Sequence, residues 1–510
     1  MSTTQPSAPP AGHSAASGGR PRWYLTLFTT DMLERFGFYG MQAILVLYAA
    51  APAESGGLGL STSDAASLFG AWIALMFMLS LPGGWIGDRL LGQRRALIAG
   101  AATSMVGYLC LATPVNWMTA VGLIVLAVGG GLYKPNHQAM INMMFGASRK
   151  SEAGISLMYV GVQVSALLAP LVTGYLGERV NWHLGFSVAA LVMLLTTILL
   201  LSTAAQFRGV GNQPGRPLNP EERRKVGQRT SAVLVLLAAI VLGMGLADML
   251  SASMAIALSG VISVIVPVIG YTALYRNPGL TANDRRRLRG FLAVFLGATL
   301  FWMIIAHAAS LLNLFARDHV DLNVFGFVIP ASWLQTATPA FILIMAPVFA
   351  WLLPRIGRKH NVAVKFSLGL LLVGGSFLLM SAATLAASDG TRISPLWLIV
   401  VYLAHACGEL IIAAVTIAAA GEVLPRAFMG RTLGLLWLFA SLGGGLGAGV
   451  VRLVEVMPEH IYYLGLGTVA SVVGLAFAFG RKALTRALAR DEETESVPAT
   501  AAAQPAPAAM

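Results

Sequence analysis

The chain has 510 residues, of which 56% are hydrophobic and only 11% charged, with a formal net charge of +12; ordinary soluble domains are roughly 25% charged. Such a composition excludes a soluble globular protein. Cys110 and Cys407 both fall in apolar runs, so no disulfide framework is implied.

Residues 1–21, rich in Ser, Ala, Pro and Gly, lack the apolar core of a signal peptide and read as a disordered tail. Apolar runs of about 20 residues, the length that crosses about 30 Å of hydrocarbon, follow near 26–52, 63–86, 95–113, 116–144, 154–177 and 184–206. Two more lie near 230–249 and 252–275, and a last set near 290–316, 326–353, 363–387, 395–422, 430–453 and 461–480. The expected fold is therefore an all-α polytopic membrane protein of fourteen spans. Residues 22–206 would form one six-helix bundle, 207–289 cytoplasmic linkers with a two-helix insert, and 290–482 a second six-helix bundle. Residues 483–510 read as a second disordered tail. The insert carries almost no ionisable group except Asp248 and is expected to be peripheral.

An even number of spans puts both termini on one side. Apart from Arg35 and Lys134, inside spans, the basic residues fall on that side, and the opposite face receives only Arg179, Arg317, Arg392 and Arg452. Cytoplasmic loops carry the excess of Lys and Arg, so both termini are expected in the cytoplasm of a multi-pass cell-membrane protein. The net charge is then a topology signal with weak attraction to anionic lipid, and it gives no reason to expect a nucleic-acid partner.

The chain contains an internal repeat. LPGGWIGDRLLGQRR (81–95) and APVFAWLLPRIGRK (346–359) look like copies, as do 140–154 and 418–434. Six spans, an insert and six related spans is the parallel-repeat plan of many secondary transporters. Within the first copy, Gly84, Asp88, Arg89, Gly92, Arg94 and Arg95 resemble the loop signature of the major facilitator superfamily. There the glycines permit a tight turn, and the Asp and Arg can bridge to a neighbouring helix.

A charge at the bilayer centre costs about 2.5–3.5 kcal/mol on insertion scales, so each one should face a cavity or a partner. In TDMLERFGFYG (30–40), Asp31, Glu34, Arg35, Phe38, Tyr39 and Gln42 recur at spacings of three and four and form one stripe. GGGLYKPNHQAM places Lys134 midway along its span, beside Pro135 and Gly129 to Gly131, which ease bending. HACGELII supplies Glu409, with His405 one turn earlier on the same face.

DMLERFGFYG resembles the ExxERFxYYG signature of the proton-dependent oligopeptide transporters, the POT/PTR family of the major facilitator superfamily. YKPN and GEL stand where that family has them, and the likeness covers about residues 22–485. It implies a proton-coupled symporter of di- and tripeptides or peptide-like molecules working by alternating access. Asp31, Glu34, Arg35 and Lys134 would couple protons to cargo, with a cargo carboxylate competing for Lys134 and Arg35. Arg35, Tyr39, Gln42, Lys134, Gln163, His307, Thr338 and Glu409 would form the substrate site, with Glu409 facing the peptide amino group and Trp437 lining the pocket. The driving force would be the proton gradient, with no cofactor or metal, and the unit would be a monomer.

Several family positions are changed. Asp31 stands for a glutamate, Gln42 for an arginine, Gln163 and Thr338 for asparagines, and Ala306 for a glutamate, with His307 beside it. The alternative is therefore a diverged exporter or importer of a modified peptide or other metabolite. The sequence contains no HExxH, GxSxG or GxxxxGK[ST] motif, so an enzyme is not expected. In LGGGLGAG (442–449), the Gly443/Gly447 and Gly445/Gly449 spacings suit close helix packing.

Overall fold

The computed structural model describes residues 21–145, 150–246, 252–357, 362–423 and 429–488. The backbone is nearly all helix: α1 (Arg22–Ala50), α2 (Thr62–Ile86), α3 (Gln93–Ala112), α4 (Asn116–Phe145), α5 (Lys150–Tyr175), α6 (Trp182–Ser202), α7 (Pro220–Leu246) and α8 (Ala252–Tyr275). There follow α9 (Ala282–Ala306), α10 (Leu311–His319), α11 (Ala337–Gly357), α12 (Val362–Ala386), α13 (Leu396–Val423), α14 (Met429–Val450), α15 (Glu459–Phe479) and α16 (Arg481–Leu488). Among the described residues, the only sheet is a hairpin of β1 (Asn323–Val324) and β2 (Phe327–Val328).

Eleven helical segments among the described residues are long and apolar enough to cross a membrane. The 29-residue α1 falls outside that set because Asp31, Glu34 and Arg35 interrupt its apolar run. In hydrocarbon a helix satisfies its backbone groups internally. Association between helices then rests on close packing, so small residues mark the contacts. A Cβ on Gly129 would lie 2.6 Å from the Ser104 backbone of α3, and one on Gly131 would lie 2.8 Å from Leu79 of α2. The glycines of α4 thus admit α2 and α3 beside it, a role beyond the bending read from sequence.

Packing follows the chain. α1 lies on α5 and α6, α3 on α4 and α6, and α2 on α4; after the insert, α12 lies on α13 and α15, α14 on α9, and α11 on α13. Helices before and after the insert meet along α2–α14 and α5–α11. The α2–α14 seam runs through Ser67, whose Oγ donates to Ala448 O (2.8 Å), Gly70 against Gly444, and Ser441, whose Oγ donates to Ala74 O (2.7 Å). It continues to Phe77, stacked on Trp437 at 5.6 Å, and Leu81 beside Gly434.

Three consecutive glycines let α14 serve three neighbours. Gly443 faces Thr299 O on α9, Gly444 faces Ile73 on α2, and Gly445 faces Ser263 on α8. The expected Gly443/Gly447 and Gly445/Gly449 pairs divide: Gly447 makes only ordinary contact, and Gly449 meets nothing within 4 Å.

Four sequence expectations need correction. The insert is not wholly peripheral, because α8 packs on both α14 and α2. The run near 290–316 is not one helix: α9 ends at Ala306, a 3-10 turn covers His307–Ala309, Ser310 adopts φ −120° and ψ −102°, and α10 begins at Leu311. The run near 326–353 starts later, since the hairpin, with Phe325 and Gly326 at positive φ, and a 3-10 helix (Ala331–Thr336) precede α11. Residues 483–488, placed at the start of the last tail, belong to α16, which packs against α9. Residues 1–20 and 489–510, Asp248, and parts of the repeat (146–149, 358–361 and 424–428) lie outside the described residues.

The loop signature closes on the segment after α6. Gly92 has φ 85°, and a Cβ there would meet Gly211 O at 2.6 Å. Arg94 donates to Asn212 Oδ1 and Leu200 O, both at 3.1 Å, and Asp88 accepts from Gln93 Nε2 at 2.7 Å. Arg89 lies 3.4 Å from Glu222 at the start of α7, Gly84 packs on Pro135, and Arg95 is exposed.

Candidate functional site

The helical stripe of α1 meets α4. Lys134 Nζ lies 3.2 Å from Glu34 Oε1 and 4.1 Å from the Phe38 ring centroid. Arg35 Nε lies 3.5 Å from Glu34 Oε2 and 3.7 Å from Asp31 Oδ1. His137, one turn beyond Lys134, sets Nδ1 3.7 Å from Asp31 and donates from Nε2 to Leu27 O at 3.0 Å. Tyr133 stacks on His137 and donates to Thr30 O at 3.0 Å, fixing α4 against α1. Two carboxylates and two basic side chains thus face one another inside an apolar bundle.

That arrangement is held by proximity. Glu34 Oε2, Arg35 Nε and Lys134 Nζ are buried, and among the described residues none has an aligned hydrogen bond. A buried ion pair returns its desolvation cost only with good geometry and satisfied partners. This cluster has charge complementarity without that locking, so each member keeps capacity for another partner.

Beside the cluster lies a cavity of about 210 Å³ between the helices before and after the insert. Phe38, Tyr39 and Gln42 of α1, Phe69, Ile73 and Phe77 of α2, and Gln163 and Pro170 of α5 form one side. Trp302 and Ala306 of α9, Gln335 of the 3-10 helix, Thr338 and Ile342 of α11, Glu409 of α13 and Gly444 of α14 form the other. The wall is mostly apolar, with a few convergent polar groups, the usual character of a small-molecule site. Glu409 is the one charged side chain among the described residues of that wall.

The structure brings Tyr39, Gln42, Gln163, Thr338 and Glu409 together on the cavity. Asp31, Glu34, Arg35 and Lys134 are not among its lining residues; Lys134 sits against the ring of the lining Phe38, and Arg35 is partly exposed. Trp437, expected to line the pocket, is outside this lining: it is exposed and stacks on the lining Phe77. His307, expected in the substrate site, points elsewhere: Nδ1 donates to Met303 O at 2.8 Å, and Nε2 accepts from Tyr462 Oη at 2.7 Å. The 3-10 turn turns its imidazole toward Phe377 and leaves Ala306 and Ala308 on the cavity. His405 is fully buried against Ser376.

Sequence reasoning missed His137, although its spacing from Lys134 puts both on one face of α4. It also missed Gln335, three residues before Thr338, whose Nε2 donates to Ala43 O at 3.3 Å. Asn313 Nδ2 donates to the same carbonyl at 2.7 Å.

A charge-bearing cavity between two sets of packed, membrane-length helices defines a multi-pass transporter of the major facilitator kind. The model of the POT family matches residues 94–468. The chain is 30% identical to a di-/tripeptide transporter of Lactococcus lactis subsp. cremoris, over 92% of this chain and 96% of that one. It is 31% identical to the uncharacterized transporter YclF of Bacillus subtilis (strain 168), over 89% and 92% of the two chains. Among solved structures, the peptide transporter POT in complex with sulfate superposes with a TM-score of 0.89 at 32% identity, covering 93% of this chain and 97% of that one. A POT family transporter in complex with 5-aminolevulinic acid gives 0.88 at 29% identity, covering 92% and 98%. The chain belongs to the POT family, whose members are transporters and not enzymes.

Proposed function

We propose that the protein is a proton-coupled symporter of di- and tripeptides or peptide-like small molecules, working by alternating access. The observation that carries this reading is the paired arrangement of Glu34 with Lys134 and Arg35 beside a cavity whose far wall holds Glu409. One named relative is a di-/tripeptide transporter, and one structural neighbour holds 5-aminolevulinic acid. Both support a small zwitterionic cargo.

In the cycle, the cargo ammonium faces Glu409. Tyr39, Gln42, Gln163 and Thr338 hydrogen-bond its amide and carboxyl ends. Protonation of Glu34 removes the partner of Lys134 and Arg35, and the freed cations attract the cargo carboxylate past Phe38; Asp31 buffers the charge of Arg35. A neighbouring charge gained or lost is what shifts such an ionisation. His307 has no part in the substrate site, for the reason of its saturated hydrogen bonds. Energy comes from the gradient alone, with no cofactor or metal: about 2.3 kcal/mol per charge per 100 mV and about 1.4 kcal/mol per pH unit.

The same reading places the monomer in the cell membrane with both termini cytoplasmic. Its fourteen spans comprise the eleven apolar segments with α1, α7 and α8, arranged as two six-helix bundles plus the pair between them. The second reading, a changed cargo such as a modified peptide carried in or out, draws on one observation. Gln42, Ala306 and Thr338, all on the cavity wall, replace residues expected of the family.

The test is purified protein in liposomes loaded with a pH-sensitive dye under an inside-negative potential, with di-alanine added outside. We expect cargo-dependent acidification, lost in Lys134→Ala. Acidification that persists in the variant refutes the coupling role. If plain peptides move no protons while the protein is folded, the cargo is another.

A further inference from the structure

The described contacts between the two groups of helices include a polar clasp at the end where α5 finishes. Glu178, in the π-turn that extends α5, sends both carboxylate oxygens across to the 3-10 helix Ala331–Thr336. One accepts from the backbone N–H of Ala331 at 2.8 Å, and the other from that of Ser332 at 3.0 Å and from the Ser332 hydroxyl. Ser332 is fully buried. Trp333 Nε1 reciprocates by donating to Leu171 O at 3.1 Å, and Arg179 donates to Val328 O.

This clasp has a long arm. The capped 3-10 helix is six residues long; its N-terminal end is held by Glu178, and its C-terminal end presents Gln335 to the cavity, with Thr338 one turn on. Gln335 is also tied to α1 through Ala43 O. A carboxylate that satisfies two otherwise unpaired N–H groups at a helix start makes charge-assisted hydrogen bonds, roughly twice as strong as neutral ones. Pulling α5 away from α11 must break all three bonds together.

We propose that Glu178 is a positioning residue of the transport cycle. It latches the gate on its side of the cavity through the 3-10 helix whose other end touches the cargo, so occupancy at Gln335 and Thr338 is coupled to release of the latch. The proposal rests on the alternating-access reading above, with Glu178 on the external side. On the α2–α14 side of that gate, Asp64 lies 3.7 Å from Arg452, and Ser63 donates to Glu455. Those are side-chain pairs near the surface, whereas Glu178 grips backbone.

The experiment uses the full chain in intact cells, with Cys110 and Cys407 replaced by alanine and Ile342→Cys as a reporter on the cavity wall, labelled by a membrane-impermeant maleimide. We expect Glu178→Ala to raise external labelling at least fivefold, Glu178→Gln to raise it less, and Ser332→Ala to raise it least. The double variant Glu178→Ala/Ser332→Ala should match Glu178→Ala within twofold, because the hydroxyl acts only through the carboxylate. In peptide uptake, Glu178→Ala should lower Vmax and leave KM within twofold. Labelling within twofold of the parent in monodisperse Glu178→Ala protein, or additive effects in the double variant, overturns the proposal. Increased labelling in a protein that moves no peptide upholds the latch and refutes the transport reading instead.

Discussion

Lys134 is surrounded by a carboxylate at 3.2 Å, an aromatic face at 4.1 Å and no aligned hydrogen bond among the described residues. Removing one member of a buried pair strands the other charge, at about 3–5 kcal/mol. Lys134→Ala should therefore lower the melting temperature in detergent as well as abolish coupling. Adding Glu34→Gln should recover most of the melting temperature and none of the coupled transport. That split separates a structural pair from a working one. On the opposite wall, Glu409→Gln should raise KM for peptides with a free amino group at least tenfold, about 1.4 kcal/mol. For N-acetylated peptides it should change KM less than twofold in competition assays. The stripe holding Asp31, Glu34 and Arg35 was legible in sequence because charges in an apolar run stand out. Phe69, Ile73 and Phe77 were not, because an apolar side chain facing a cavity and one facing lipid spell the same pattern.

At the scale of helices, α14 shows how backbone proximity substitutes for side-chain chemistry. A Cβ at Gly444 would lie 2.7 Å from Ile73 Cγ2, so Gly444→Val should overpack the seam by about 1–3 kcal/mol. Gly449→Ala meets nothing within 4 Å and should be neutral or stabilising by up to about 1 kcal/mol, since alanine favours helix. Thermal unfolding of the two purified variants distinguishes them. The glycine run announced close packing but not its partners, because which neighbour lies on which face is decided by the rest of the bundle. The break between α9 and α10 gave no warning at all: AHAAS has neither Pro nor Gly, and the interruption comes from tertiary contacts such as Asn313 to Ala43 O. The insert looked detached for the opposite reason. Its almost uncharged sequence says nothing about the small-residue contact between α8 and α14 that holds it.

For the molecule as a whole, the two lines of contact between its halves differ in kind. The α5 side closes mainly through polar contacts grouped around the 3-10 helix, those of Glu178, Trp333 and Arg179. The α2 side is continuous from Ser67 to Leu81, with α8 laid over it. Spin labels at the exposed Val172 and Ile344 should report larger distance changes on cargo addition than a pair spanning α2 and α14. Equal changes on both sides would refute this asymmetry. A long unbroken seam opposite a single clasp is the layout of a bound book: one edge is sewn, the other carries the fastening. Such a body opens by turning about its spine, and a third helix glued along that spine stiffens the binding without touching the pages.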